Sequence, residues 1–213
     1  MEGRGGPDPA TTRRIRQAEI GTPWNDRLRQ KDNIELTLVE MTTVQQIQAL
    51  KAGRIDVGFG RLQIDDPEVR QKVLFYEPLL AALPVGHPLQ DLNPSLEELV
   101  KYPLILFPSR PRPSFADIVL GLFFRHDLKP HVVQETNELQ TALSLVASGL
   151  GITLVPEQVM NVNRKGIIYT RLADAKISTP VICSRRHGEG SSPLLEEVGS
   201  ILKKLSHSKA KPL

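Results

Sequence analysis

The run Ile34-Glu-Leu-Thr-Leu-Val39, Glu40-Met-Thr-Thr-Val-Gln-Gln-Ile-Gln-Ala-Leu-Lys-Ala-Gly53, Arg54-Ile-Asp-Val-Gly-Phe-Gly-Arg61 decides the fold class. Ile34, Leu36 and Leu38 alternate with polar residues, the period of a half-buried strand. Thr42 or Thr43 then caps a helix that carries Val44, Ile47 and Leu50 on one side, and Gly53 stops it. Ile55 to Phe59 reads as a short apolar strand. Strand, helix and strand in this order make a βαβ unit, with parallel pairing and a right-handed crossover.

Downstream the same alternation continues. Val73 to Phe75 and Leu79 to Pro84 read as two strands, and Ser95 with Glu98 forms a capping box ahead of a short helix. Leu104 to Phe107 is a buried strand, followed by a turn from Pro108 to Pro113. Ser114 and Asp117 form a second capping box, opening the apolar helix Ile118 to Phe124. After a strand at His131 to Gln134, a helix from Glu138 to Ser148 carries Leu139, Leu143 and Val146 at helical spacing. Gly151 to Val155 is a strand, with Pro156 as the first residue of a short helix. Strands at Ile167 to Thr170 and Val181 to Cys183 precede a last helix whose stripe is Leu194, Leu195, Val198, Ile201, Leu202 and Leu205. Alternating strands and helices over the chain predict an α/β fold with mostly parallel sheets. Upstream, residues 1 to 30 are rich in Gly, Pro, Arg and Thr without a sustained period. They read as a disordered or atypical lead-in, with at most a short helix near Trp24 to Gln30.

Composition narrows the function classes. The chain has 213 residues, 40% hydrophobic and 24% charged, as in an ordinary globular protein. The formal charge of +3 is spread out, not gathered in one stripe, so it does not single out nucleic acid. One cysteine, Cys183, excludes an internal disulfide and reads as a buried structural thiol. The start lacks the apolar core of a secretory signal, and no run reaches the ~20 apolar residues of a membrane helix. A cytoplasmic location is expected, with no membrane partner.

Enzymatic motifs are missing from the sequence. His87, His126, His131, His187 and His207 lack metal-ligand spacing, so no metal and no cofactor is expected. Asp65 and Asp66 precede Pro67 and read as turn residues. Gly149-Leu-Gly151 leads into a strand, whereas a dinucleotide fingerprint leads into a helix.

One constellation carries chemistry. Thr42-Thr43 and Ser114 each start a helix after a strand. Such an end presents unpaired N–H groups and partial positive charge, a ready anion site. In an open α/β sheet these ends gather at the carboxyl edges of the strands. Two of them facing across a cleft could hold both carboxylates of a small diacid, with Arg61 adding a charge. Plain helix capping explains the same residues, and both readings stay open at this point.

Family resemblance bears on the choice. The stretch Glu40 to Arg61 resembles the LysR-type regulators of aromatic catabolism. So do Leu79-Leu-Ala-Ala-Leu-Pro-Val-Gly-His-Pro88, Phe107-Pro-Ser-Arg-Pro-Arg-Pro-Ser-Phe-Ala-Asp117 and Asn137-Glu-Leu-Gln-Thr-Ala-Leu-Ser-Leu-Val-Ala-Ser-Gly-Leu-Gly-Ile-Thr-Leu-Val-Pro156. Glu40-Met-Thr-Thr43, Arg112-Pro-Ser-Phe-Ala-Asp117 and Asn137-Glu-Leu-Gln-Thr-Ala142 look like the catechol and chlorocatechol branch, which answers to cis,cis-muconate or chlorinated muconates.

The resemblance implies two Rossmann-like lobes of the type II periplasmic binding protein fold, joined by two crossover strands. Lobe I is then 31–77 plus 178–205, lobe II is 78–177, and 206–213 is a tail. Crossings fall near Glu77-Pro78 and Ile177-Ser178, with the effector between the lobes. Site counterparts are Thr42, Thr43 and Arg61 in lobe I, Pro113, Ser114, Phe115 and Leu139 in lobe II, and Ile177 at the crossing. Thr43 and Ser114 are also picked by the charge reasoning, which favours a carboxylate site. A homodimer or tetramer is implied.

DNA contact would come only through a helix-turn-helix domain that this chain is expected to lack. The first strand of lobe I is expected to be missing too, since Thr11-Thr-Arg-Arg-Ile-Arg16 stands in its place. A secondary benzoate site of some relatives needs Arg where this chain has Phe75, so it is not expected. A free-standing cytosolic small-anion-binding protein of the same fold, a truncated inactive regulator and an enzyme of similar fold are the competing readings; no signal segment supports the first and no acid–base pair the third.

Overall fold

A computed structural model describes residues 15–17, 39–161 and 164–188. The chain divides into two compact units, one formed by Met1–Phe75 with Ile182–Leu213 and the other by Tyr76–Val181. The sequence-based division fell at 77/78 and 177/178. Two strands, β3 (Val69–Pro84) and β8 (Ser178–Arg186), pass from one unit into the other.

In the first unit, β1 (Ile15–Gln17) pairs parallel with β2 (Val57–Gly60), Ile15 opposite Val57. This differs from the expected loss of a strand: the segment ending Arg13-Arg-Ile-Arg16 supplies one, beginning at Ile15. β2 then pairs antiparallel with β8, Phe59 opposite Cys183. Helix α1 (Thr43–Lys51) packs on this sheet. Its buried residues are Thr43, Gln46, Ile47, Ala49 and Leu50, so Gln46 takes the inward place expected for Val44. Gly53, at φ 65, ends the turn in the left-handed conformation. Arg186 closes the same end, its Nη1 donating to the carbonyls of Leu50 (2.8 Å) and Ile55 (2.7 Å). Ile47, Ala49, Leu50, Ile55 and Val69 make a small core. The expected strand Ile34 to Val39 lies outside the described residues apart from Val39, which is not in a strand. The expected helices at Trp24 to Gln30 and at Leu194 to Leu205 lie outside them as well.

The second unit holds the larger core. Its helices α2 (Leu96–Leu99), α3 (Phe115–Phe124) and α4 (Leu139–Ala147) bury Leu99, Phe123 and Leu143. Its strands are β4 (Leu104–Leu106), β5 (Val132–Glu135), β6 (Thr153–Pro156), β7 (Ile167–Arg171) and the second half of β3. Pro156 closes β6, pairing with Leu79, and a 3₁₀ helix begins one residue later at Glu157.

The expectation of mostly parallel sheets is corrected. β1–β2 and β4–β5 are parallel, as is the bridge Leu104 to Ile152. β2–β8, β3–β6 and β3–β7 are antiparallel. Parallel strands need a crossover connection, whereas antiparallel ones do not. The two that run counter are those that carry the chain between units. Val73 to Phe75 and Leu79 to Pro84 also turn out to be one strand. Pro78 has no N–H to give, and the ladder resumes at once when Leu79 donates to the Ile177 carbonyl at 3.1 Å. No helix among the described residues is long and apolar enough to cross a membrane.

Candidate functional site

Thr42 is the N-cap of α1 in extended conformation. Its side chain accepts from the Gln45 N–H (3.4 Å), while Gln45 Oε1 accepts from the Thr42 N–H (3.0 Å). Sequence reading gave Thr42 or Thr43 as the cap; Thr42 caps, and Thr43 becomes the first helical residue, only 6% exposed. A Cβ placed on Gly60 would stand 2.5 Å from Thr43 Oγ1, so the hydroxyl lies directly on the strand backbone. Arg61 follows Gly60 and is 4% exposed. The first unit therefore brings a helix N-terminus and a threonine hydroxyl onto Gly60 at the carboxyl end of β2, and the buried Arg61 is the next residue along the chain. The helix end contributes partial positive charge there.

In the second unit the loop before α3 is rigidly tied. Phe107–Pro108, Arg110–Pro111 and Arg112–Pro113 are cis. Arg112 donates from Nε to the Ser109 carbonyl (3.0 Å), from Nη1 to Asp117 (2.8 Å) and from Nη2 to Glu135 (3.1 Å). Ser114, 2% exposed, caps α3. Its Oγ accepts from Ala116 N–H (3.2 Å) and donates to the Pro108 carbonyl (2.7 Å), while its own N–H donates to Asp117 (2.6 Å). The hydroxyl proton is thus already committed to Pro108. What this helix start can offer an anion is the Phe115 N–H, which the cap does not use, and the helix's positive end. Phe115 is buried against Phe107, ring centroids 5.4 Å apart, and Pro113 is exposed.

Leu139 opens α4 in the neighbouring loop. Asn137 joins the two loops, its Oδ1 accepting from Ser109 Oγ (2.5 Å) and from the Arg110 N–H (3.1 Å). Ile177 is buried at the foot of β8 and holds Leu79 of β3 through its carbonyl. The structure thus brings Thr42, Thr43 and Arg61 together in one unit. It brings Pro113, Ser114, Phe115 and Leu139 together in the other, where Ile177 also lies. Sequence reasoning missed Gln46, Arg112 and Asn137, the polar side chains that fix these groups in place. The spacing Arg112 to Asp117 was the available signal for one of them.

Among the described residues no group of three His, Cys, Asp or Glu side chains could hold a metal ion. Cys183 is free and half-buried rather than fully buried as expected, and desolvation pushes its thiol up to about 11.

The family model for the LysR substrate binding domain matches residues 23–206. The chain belongs to the LysR substrate-binding-domain family. The HTH-type transcriptional regulator CatR of Pseudomonas putida is 50% identical over 169 residues, covering 79% of this chain and 58% of that protein. The HTH-type regulator BenM of Acinetobacter baylyi is 39% identical over 163 residues, covering 75% and 54%. This LysR-family chain thus spans little more than half the length of the curated relatives it matches. Those relatives are transcriptional regulators, not enzymes. Among solved structures, the effector-binding domain of a BenM variant superposes with TM-score 0.83 at 34% identity, covering 92% of this chain and 96% of that one. The BenM effector-binding domain with its effector benzoate gives 0.82 at 33% identity, covering 94% and 96%. The fold is therefore that of the LysR effector-binding domains, two α/β lobes of the type II periplasmic-binding-protein kind.

Proposed function

We propose that this chain is the sensor of a LysR-type transcriptional regulator and that its effector is a small dicarboxylate of the muconate class. The observation that supports the reading is the Thr43 hydroxyl resting on Gly60 at the start of α1, with the buried Arg61 directly following Gly60 in the chain. The positive end of a helix favours a carboxylate, and an arginine can add a charge-assisted bond to one. The second unit offers a comparable group, the start of α3 with the Phe115 N–H beside the Phe107 and Phe115 rings. The muconate class is taken from the resemblance of Glu40 to Thr43 and Arg112 to Asp117 to the muconate-responsive branch.

Thr42, Thr43, Arg61, Pro113, Ser114, Phe115, Leu139 and Ile177 are the residues assigned to recognition. Regulation would follow from a ligand-dependent shift between conformations of a homodimer or tetramer in the cytoplasm. Operator contact would come from a helix-turn-helix module of the longer regulator. Ligand-induced thermal stabilisation tests the class of effector: cis,cis-muconate should raise Tm, and succinate and benzoate should raise it less. Equal stabilisation by succinate would remove the preference for an unsaturated chain. Turnover of the diacid would contradict a sensor.

A further inference from the structure

We infer that Gln46 is a positioning residue for the proposed carboxylate site, holding Thr43 and Arg61 in register through a buried amide that joins α1 to β2. The inference rests on the carboxylate reading for its purpose but not for its geometry. Gln46 is 0% exposed, and its Nε2 donates to two carbonyls: Met41, just ahead of the helix cap (3.1 Å), and Phe59, two residues before Arg61 (2.8 Å). One side chain therefore ties the entry of the helix to the end of the strand.

The strand is shaped to receive it. Residues i and i+2 of a strand share a face, and here they are Gly58 and Gly60. A Cβ at Gly58 would lie 2.4 Å from Gln46 Oε1, and one at Gly60 would lie 2.5 Å from Thr43 Oγ1. Thr43 and Gln46 are three apart on the helix and so lie on one side of it. Two polar helical side chains thus rest on two bare positions of β2, closer than any pair of apolar side chains would allow. Gln46 Oε1 is buried without a hydrogen-bond partner among the described residues. An orphaned amide oxygen is unfavourable. An apolar side chain of the same length would remove the orphan but would also lose both donated bonds. The amide is therefore retained for what its nitrogen holds, the relative placement of the Met41–Thr43 entry and the Phe59–Arg61 exit.

The test uses the full chain, with Gln46→Met, Gln46→Glu and the control Ile47→Val. Ile47 is in the same helix, 6% exposed, and makes no polar contact with β2. In calorimetric titrations with cis,cis-muconate, Gln46→Met should bind about tenfold more weakly, the loss expected for one to two neutral hydrogen bonds. Ile47→Val should lower Tm and leave affinity as in wild type. In Gln46→Glu a protonated carboxyl can still donate one bond, so its affinity should recover as pH falls, whereas wild-type affinity should not. Amide hydrogen exchange gives a second readout that needs no effector. The Thr43–Gln46 turn and the Gly60 and Arg61 amides should exchange faster in Gln46→Met, with Ala116 and Asp117 unchanged. Wild-type affinity in Gln46→Met overturns the inference and leaves the carboxylate reading standing. If wild type itself does not bind muconate, the carboxylate reading fails and exchange decides: unchanged protection at Gly60 and Arg61 overturns the positioning role, and accelerated exchange upholds it.

Discussion

Ser114 shows how one side chain serves two ends. Its place as a helix cap was legible, because Ser-x-x-Asp before an apolar run is a capping box. Its donation to the Pro108 carbonyl was not, since nothing in the spacing says that the loop folds back over the cap. Ser114→Ala should therefore cost stability before it costs binding, about 1–2 kcal/mol for a lost cap. Ser114→Thr keeps the hydroxyl and should restore most of that loss, as denaturant titration would show. An alanine variant as stable as wild type would mean that the cap contributes nothing. Gln46 escaped the sequence because helical periodicity counts glutamine as a polar, outward residue. Only the two glycines of β2 make room for it, and their effect is visible only when helix and strand are stacked. Cys183 makes a simpler prediction. Its thiol ionises near 11 in the folded chain against an ordinary 9.0, so at pH 8 it should resist alkylation until the protein unfolds. The sign of the linkage follows: the folded state holds the proton longer, so this contribution to stability is intact below about pH 9 and is lost as pH rises towards 11. Rapid alkylation of the native protein at pH 8 would contradict the burial.

Among the elements, helices read better than strands. The capping boxes of α2 and α3 are legible in the sequence and the structure has both, while at α1 the expected threonine cap proves to be a box of Thr42 with Gln45. α4 has no side-chain cap bond and was recognised by its apolar spacing, with Leu143 fully buried at its centre. Leu143→Ala should cost about 2–5 kcal/mol, read as a lower denaturation midpoint at unchanged slope. Strand direction was not legible, because an apolar run looks the same whichever way its partner points. β3 and β8 run counter to their neighbours for a reason of connectivity, which no local pattern records. Close approach is also an element-scale property. A Cβ on Gly151 would lie 2.5 Å from the Pro103 carbonyl oxygen, backbone that cannot step aside. Gly151→Ala should destabilise the pairing of Ile152 with β4, and slower exchange or a raised Tm in that variant would contradict the contact.

For the whole molecule, the alternation of strand and helix gave the α/β class, and the quoted motifs gave the family, now matched over residues 23–206. The residues proposed for recognition lie in two separate sets, one in each unit. A variant in either set should weaken effector binding. The measurement that tests this most directly is calorimetric titration of the purified chain with cis,cis-muconate, repeated with Arg61→Ala and with Leu139→Ala. The account predicts saturable binding at one site per chain, weakened by at least tenfold in each variant, with both variants still folded. Full affinity in Arg61→Ala, or no heat at all from a folded wild-type chain, would contradict it.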